Sequence, residues 1–200
     1  MNRRTLLLSA AAAGLIAGTA QAQQLSLAQV SSYLNGLTTA TGGFTQINGD
    51  GTLSTGQLYI KRPGRIRFEY NAPDNSLVMA GGGQVAIFDP RSNAPAERYP
   101  LNQTPLSIIL AQNVDLGRAR MVTGHTSDGT TTTITAQDPD HPEYGNIQMK
   151  FSANPVELRQ RIVTDNVGER TTVILNGLTP GAGISDAQFN IQSEMSRRGQ

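Results

Sequence analysis

Gly56-Gln57-Leu58-Tyr59-Ile60-Lys61-Arg62-Pro63-Gly64-Arg65-Ile66-Arg67-Phe68-Glu69-Tyr70 decides the fold. From Gln57 to Arg62 the chain alternates, with Leu58 and Ile60 on one side. From Arg65 to Tyr70 it alternates again: Ile66, Phe68 and Tyr70 on one face, Arg65, Arg67 and Glu69 on the other. Period two is the signature of a strand with unlike faces, and Arg62-Pro63-Gly64 is turn chemistry between two of them. Working outward, Leu77 to Ala80 and Val85 to Phe88 are further short strands separated by Gly81-Gly82-Gly83, and Asn71 to Asn75 forms the preceding turn. Strands joined by turns this short make an antiparallel meander.

Towards the N-terminus, Leu25 to Leu37 predicts a helix: Leu27, Val30, Leu34 and Leu37 fall on one face, Ser26 is a suitable N-cap, and Gly36 followed by Gly42-Gly43 ends it. Towards the C-terminus, Asp89 to Gln103 is rich in Pro, Asn and Arg and reads as loop. Thr104-Pro105 then opens a short helix, Thr104 as cap and Pro105 in its first position, with Leu106, Ile109 and Leu110 giving a strongly apolar face. Strands are expected near 119–125, 130–137, 146–153, 156–164 and 170–175, with a last one at Phe189 to Ile191 and a polar, frayed tail over 193–200. Many short twisted strands curl. Two amphipathic helices must cover the apolar face of such a sheet. The expected architecture is mainly β: an unclosed antiparallel barrel, a half-barrel, under a helical lid.

The first residues read as a leader. Arg3 and Arg4 precede the apolar run Leu6 to Ala17, and Ala20-Gln21-Ala22 is a small-x-small cleavage site. Residues 1–22 are therefore expected to be a cleaved signal peptide and 23–200 a single domain. Arg3-Arg4-Thr5-Leu6 partly matches a twin-arginine signal, so both export routes stay open. The net charge of the full chain is +1, and removing Arg3 and Arg4 leaves one more acidic than basic residue. With no basic run or basic helix, a nucleic-acid partner is not expected. The chain has no cysteine, which excludes disulfides and any lipid anchor on a mature N-terminal cysteine. A free periplasmic monomer is the expectation. Enzyme chemistry is not expected. His125 and His141 are the only histidines, and Asp138 to Glu143 is a proline-punctuated surface loop rather than a metal site. The Gly81–Gly83 run leads into a strand, where a phosphate-binding loop leads into a helix. No cofactor or metal is expected.

Several segments carry a family pattern: Phe44-Thr45-Gln46, the whole of Gly56 to Tyr70, Asn71-Ala72-Pro73, Gly83 to Asp89-Pro90, Thr104 to Leu110, and Asp165 to Thr171. Together they resemble the LolA family of periplasmic lipoprotein carriers, over nearly the whole mature chain. The most specific piece is the Lys-Arg-Pro strand followed by the Glu-Tyr-x-x-Pro ending. The chain departs from the pattern in having no Trp, with Phe68 and Phe88 near the positions where members often carry it. The resemblance implies an unclosed barrel under a lid of helices that holds the acyl chains of lipid-modified proteins. It implies cargo accepted from an inner-membrane ATP-driven lipoprotein-releasing transporter and passed to an outer-membrane lipoprotein acceptor. That acceptor is itself anchored through a cysteine, which this chain lacks. The acyl-chain groove would be lined by Leu58, Ile60, Ile66, Phe68, Leu77, Met79, Val85 and Ile87 from the sheet and by Leu27, Val30, Leu34, Leu106, Ile109 and Leu110 from the lid. By spacing alone these faces read as ordinary core, and only the resemblance makes them a groove. Counting by twos from Leu58 points Arg62 inward; by spacing alone it also reads as a solvated turn residue, and the resemblance gives it the role of lid latch. A periplasmic lipid-binding sensor or a general lipid carrier is the alternative function.

Overall fold

The computed structural model describes residues 24–92, 94–118 and 120–199. The expected signal peptide lies outside the described residues. The chain runs α1 (Leu27–Gly36), β1 (Thr39–Ile47), β2 (Leu53–Lys61), β3 (Arg65–Tyr70), β4 (Leu77–Gly81), β5 (Gln84–Phe88), β6 (Glu97–Pro100), α2 (Leu106–Leu110), β7 (Val122–Ser127), β8 (Thr131–Gln137), β9 (Asn146–Ala153), β10 (Val156–Thr164), β11 (Arg170–Leu175), β12 (Thr179–Pro180) and α3 (Ile191–Arg197). Short 3-10 turns at Leu101–Gln103, Pro142–Tyr144 and Asp186–Phe189 complete it.

All strands belong to one sheet of order β6-β5-β4-β3-β2-β1-β11-β10-β9-β8-β7, with β12 paired beside β1. Every pairing is antiparallel. β6 and β7 are its two ends and do not meet. The fold is an unclosed antiparallel half-barrel, and α1 and α2 pack on its concave face: Val30, Leu34, Leu106, Ile109 and Leu110 share one buried cluster with Leu58, Ile60, Ile66 and Phe68. Ser26 caps α1 reciprocally, its Oγ accepting from the Gln29 N–H at 3.2 Å while Gln29 Oε1 accepts from the Ser26 N–H at 2.9 Å.

Five expectations are corrected. β1 crosses Gly42-Gly43, which reads as a breaker in the sequence. Here the absence of a side chain is needed, because a Cβ on Gly42 would lie 2.2 Å from the Gly177 carbonyl oxygen. The expected 89–103 loop contains β6, an exposed edge strand. Thr104 does not cap α2; Pro105 occupies that position, and the Thr104 hydroxyl donates to the Leu101 carbonyl at 2.8 Å. Phe189 to Ile191 is not a strand, and the described tail, to residue 199, is not frayed. It forms α3, capped by Asn190 and packed on the convex face through Ile191 and Met195.

Candidate functional site

The concave face is built rung by rung. Leu58 stands opposite Phe68, Phe68 opposite Val78 and Val78 opposite Ile87; one rung along, Ile60, Ile66, Ala80 and Val85 are aligned in the same way. Residues directly opposite in an antiparallel ladder share a face. Leu77 and Met79 are therefore on the other side, and the groove assignment for them is corrected. They pair with Phe88 and Ala86 and pack beneath α3. Val78 and Ala80 take their place inside. The run Leu77-Val78-Met79-Ala80 has no polar member to set its phase, because both faces of β4 are covered. Ile60, Ile66, Leu34, Ile109 and Leu110 lie in the closed contact between lid and sheet, and Leu27 is half-buried at its margin. Phe68, Val85, Ile87 and Leu106 instead line an open groove of about 800 Å³ between the β3–β6 half and the β10–β11 hairpin.

Arg62 follows β2 and has its own N–H bonded to the Thr38 carbonyl at 2.7 Å. One terminal nitrogen of its guanidinium donates to the Leu34 carbonyl in the last turn of α1, the other to the Ala111 carbonyl just past α2 and to Asn35 Oδ1. Carbonyls at helix C-termini are short of intrahelical donors, Leu34 having only a 3.3 Å bond from the Leu37 N–H, and a planar cation with several donors suits two of them at once. Burial lowers the Arg62 pKa, the direction desolvation imposes on a cation. Its Nε is buried without a partner. The Gly64 N–H adds a bond to the Leu110 carbonyl at 2.8 Å. Both lid helices are thus held to one turn of the sheet.

A family model described as "Outer membrane lipoprotein carrier protein LolA" matches residues 35–192. The chain belongs to the LolA family. Among similar proteins are the outer-membrane lipoprotein carrier proteins of Azotobacter vinelandii, 27% identical over 94% of this chain and 93% of that one, and of Coxiella burnetii, 26% identical over 88% and 87%. A LolA superfamily protein from Nitrosomonas europaea superposes with a TM-score of 0.45 at 10% identity, over 84% of this chain and 99% of that chain.

The LolA match begins within α1 and takes in every strand, so Arg62 and the concave rungs all fall inside it. Three site features escape the sequence reading. The polar side of α1 also anchors it. Asn35 exchanges two 2.9 Å bonds with the Val114 backbone, Ser31 accepts from the Leu116 N–H at 3.0 Å, and the Tyr33 hydroxyl accepts from the Leu158 N–H at 3.1 Å. The i, i+4 spacing of Ser31 and Asn35 was the available signal. Arg161 is the second. A β-bulge between Leu158 and Gln160 shifts the alternation of β10 and turns Arg161 into the groove. The third is an acidic border to the groove, where Glu97, Asp165 and Glu169 stand. His141 stacks on Tyr144 and meets Glu143 at 3.0 Å in an exposed turn, and the described residues contain no cluster of three His, Cys, Asp or Glu that could hold a metal.

Proposed function

We propose that the mature protein, residues 23–200 after loss of the signal peptide, is a monomeric periplasmic chaperone. It binds the acyl chains of lipoproteins in the groove and carries them from the inner to the outer membrane. Membership of the LolA family and the Arg62 bridge from the sheet to both lid helices support this reading; the bridge is the observation that carries it. Acyl chains need an apolar wall and no directed bonds, and the rungs of Leu58, Phe68, Val78 and Ile87 offer one. A groove of about 800 Å³ is within the ordinary range of roughly 300–1,000 Å³ for one small ligand. Several chains need the lid to move. In this mechanism Arg62 is the latch. It holds α1 and α2 down in the empty carrier, and cargo breaks its bonds to the Leu34 and Ala111 carbonyls. The proposed partners are lipid-modified proteins, an inner-membrane ATP-driven transporter that loads the carrier, and an outer-membrane acceptor. No catalytic step and no cofactor are assigned.

The test is mass spectrometry of the protein and whatever co-purifies with it from periplasm. A chain beginning at Gln23 with acylated lipoprotein bound is expected. Free lipid as the sole companion would favour a sensor or general lipid carrier, and full-length protein in washed membranes would overturn the free-carrier reading.

A further inference from the structure

Arg161 is 8% exposed. Its position on β10 is opposite Val173 and Met149, both fully buried on the concave face. Its guanidinium lies 4.4 Å over the Phe68 ring. Its Nε has no hydrogen-bond partner, and among the described residues no carboxylate stands within ion-pair distance of it. The other buried arginine, Arg67, is paired with both Glu69 and Glu194. Burial lowers the Arg161 pKa to about 10, which leaves the side chain a cation at neutral pH. A cation face on an aromatic ring is stabilised on that side only. Its side chain lines the groove, and none of its N–H donors bonds to a described residue. A buried arginine is costly unless something accepts from it.

We propose that Arg161 is the polar anchor of the groove and takes the carbonyl or carboxylate oxygen at the head of an acyl chain, while the tail lies along Val78, Ile87 and Leu106. This deepens the carrier reading and rests on it. The flat donor fork matches an oxygen acceptor in the plane of the guanidinium. The acceptor could be the ester oxygen of a protein-linked acyl chain or the carboxylate of a free fatty acid. Glu97, Asp165 and Glu169 at the groove border disfavour entry of a full anion and leave a neutral ester unhindered.

The test is displacement of an alkyl-pyrene probe, which has no head group, by hexadecane, methyl palmitate and palmitate, for the parent protein, Arg161→Met and Arg161→Lys. In the parent, methyl palmitate or palmitate is expected to displace the probe about tenfold better than hexadecane, which has no acceptor, the scale of one charge-assisted hydrogen bond. Preference for the ester identifies protein-linked chains as the source, and preference for palmitate identifies free fatty acid. In Arg161→Met that preference should fall to within about twofold while the probe still binds, since the hydrogen bond responsible for it is gone. Arg161→Lys should keep the preference for palmitate and lose that for the ester. Equal displacement by all three ligands in the parent overturns the proposal without any variant. So does a preference that survives in Arg161→Met. Failure of the parent to bind the probe at all counts instead against the carrier reading, and the anchor falls with it.

Discussion

Replacing Arg62 by Leu separates holding the lid from building it. The strand keeps its backbone bond from residue 62 to Thr38, the Ala111 carbonyl loses its Arg62 donor, and the Leu34 carbonyl is left with only the 3.3 Å bond from the Leu37 N–H. Two charge-assisted bonds contribute about 3–6 kcal/mol together. The buried, unpartnered Nε and the desolvation of a half-buried cation offset about 1–3 kcal/mol of that. A net closing contribution of about 0–5 kcal/mol is left, and its middle, about 2–3 kcal/mol, is roughly 30- to 150-fold in the equilibrium between closed and open lid. In the proposed mechanism cargo binding requires opening, so the variant should bind cargo more tightly by up to that factor and release it correspondingly slowly. The assay is loading of a radiolabelled lipoprotein onto the carrier followed by its transfer to acceptor-bearing vesicles, with hydrogen exchange of α1 as the direct readout of the lid. Arg62→Lys should fall between parent and Leu variant, because it keeps charge and loses the fork. Parent-like loading, transfer and exchange in Arg62→Leu would return Arg62 to an ordinary turn residue beside Pro63.

Phe68→Lys should weaken acyl-probe binding by about tenfold or more, because it puts a second cation into an apolar site beside Arg161, while Gln57→Lys, on an exposed position of β2, should leave it unchanged; fluorescence titration of both decides whether the concave face was assigned correctly. Gly56→Ala should cost about 2 kcal/mol or more, read as a fall in the urea midpoint, because a Cβ there would stand 2.1 Å from the Glu69 carbonyl oxygen and 2.6 Å from the Phe44 ring. Glu194, 7% exposed, is raised by burial but more strongly lowered by bonds from Arg198 and Arg197 and by the charge of Arg67, so its carboxyl titrates below the usual 4.5. A depressed carboxyl stabilises the fold above its unfolded pKa and loses that contribution as pH falls through the folded one. Stability should therefore drop below about pH 4.5, and Glu194→Gln should flatten that drop in thermal melts and cost about 3–5 kcal/mol at neutral pH, the scale for breaking a buried ion pair.

Legibility followed the alternation of polar and apolar residues. β3, β9, β10 and β11 have the boundaries that their patterns and turns indicate, because polar residues alternate with apolar ones along most of them and turn residues bound them, even in β3, where Arg67 is buried beneath α3. β4 defeats the same rule, since α3 covers its second face, and no property of Leu77 to Ala80 tells inside from outside. α3 itself is hidden because its buried side includes Glu194, a residue that reads as solvated until Arg67 is known to lie beneath it. The two strands joined at Arg62-Pro63-Gly64, β2 and β3, were legible because that turn sets their register. Arg161 was not, because a bulge is a backbone event and leaves no mark in the order of Leu158, Arg159, Gln160 and Arg161.

The closed lid and the cargo have comparable energies, and that decides what a latch can do. Burying an acyl chain of about fifteen carbons is worth roughly 12 kcal/mol at ~0.8 kcal/mol per methylene. In the structure Val30, Leu34, Leu106, Ile109 and Leu110 are each buried to 9% exposure or less. At about 1.5–3 kcal/mol per side chain, that burial amounts to roughly 8–15 kcal/mol. Exchanging lid for acyl chain is therefore near neutral for the first chain, and a carrier of this design neither refuses its cargo nor keeps it. Within such a balance the 2–3 kcal/mol or so assigned to Arg62 is the margin that determines direction. A side chain added to fill the groove permanently, such as Val78→Phe, should then favour the closed empty state and lower loading without touching Arg62. If the same change raised loading, the closed lid would not be the competitor of the cargo.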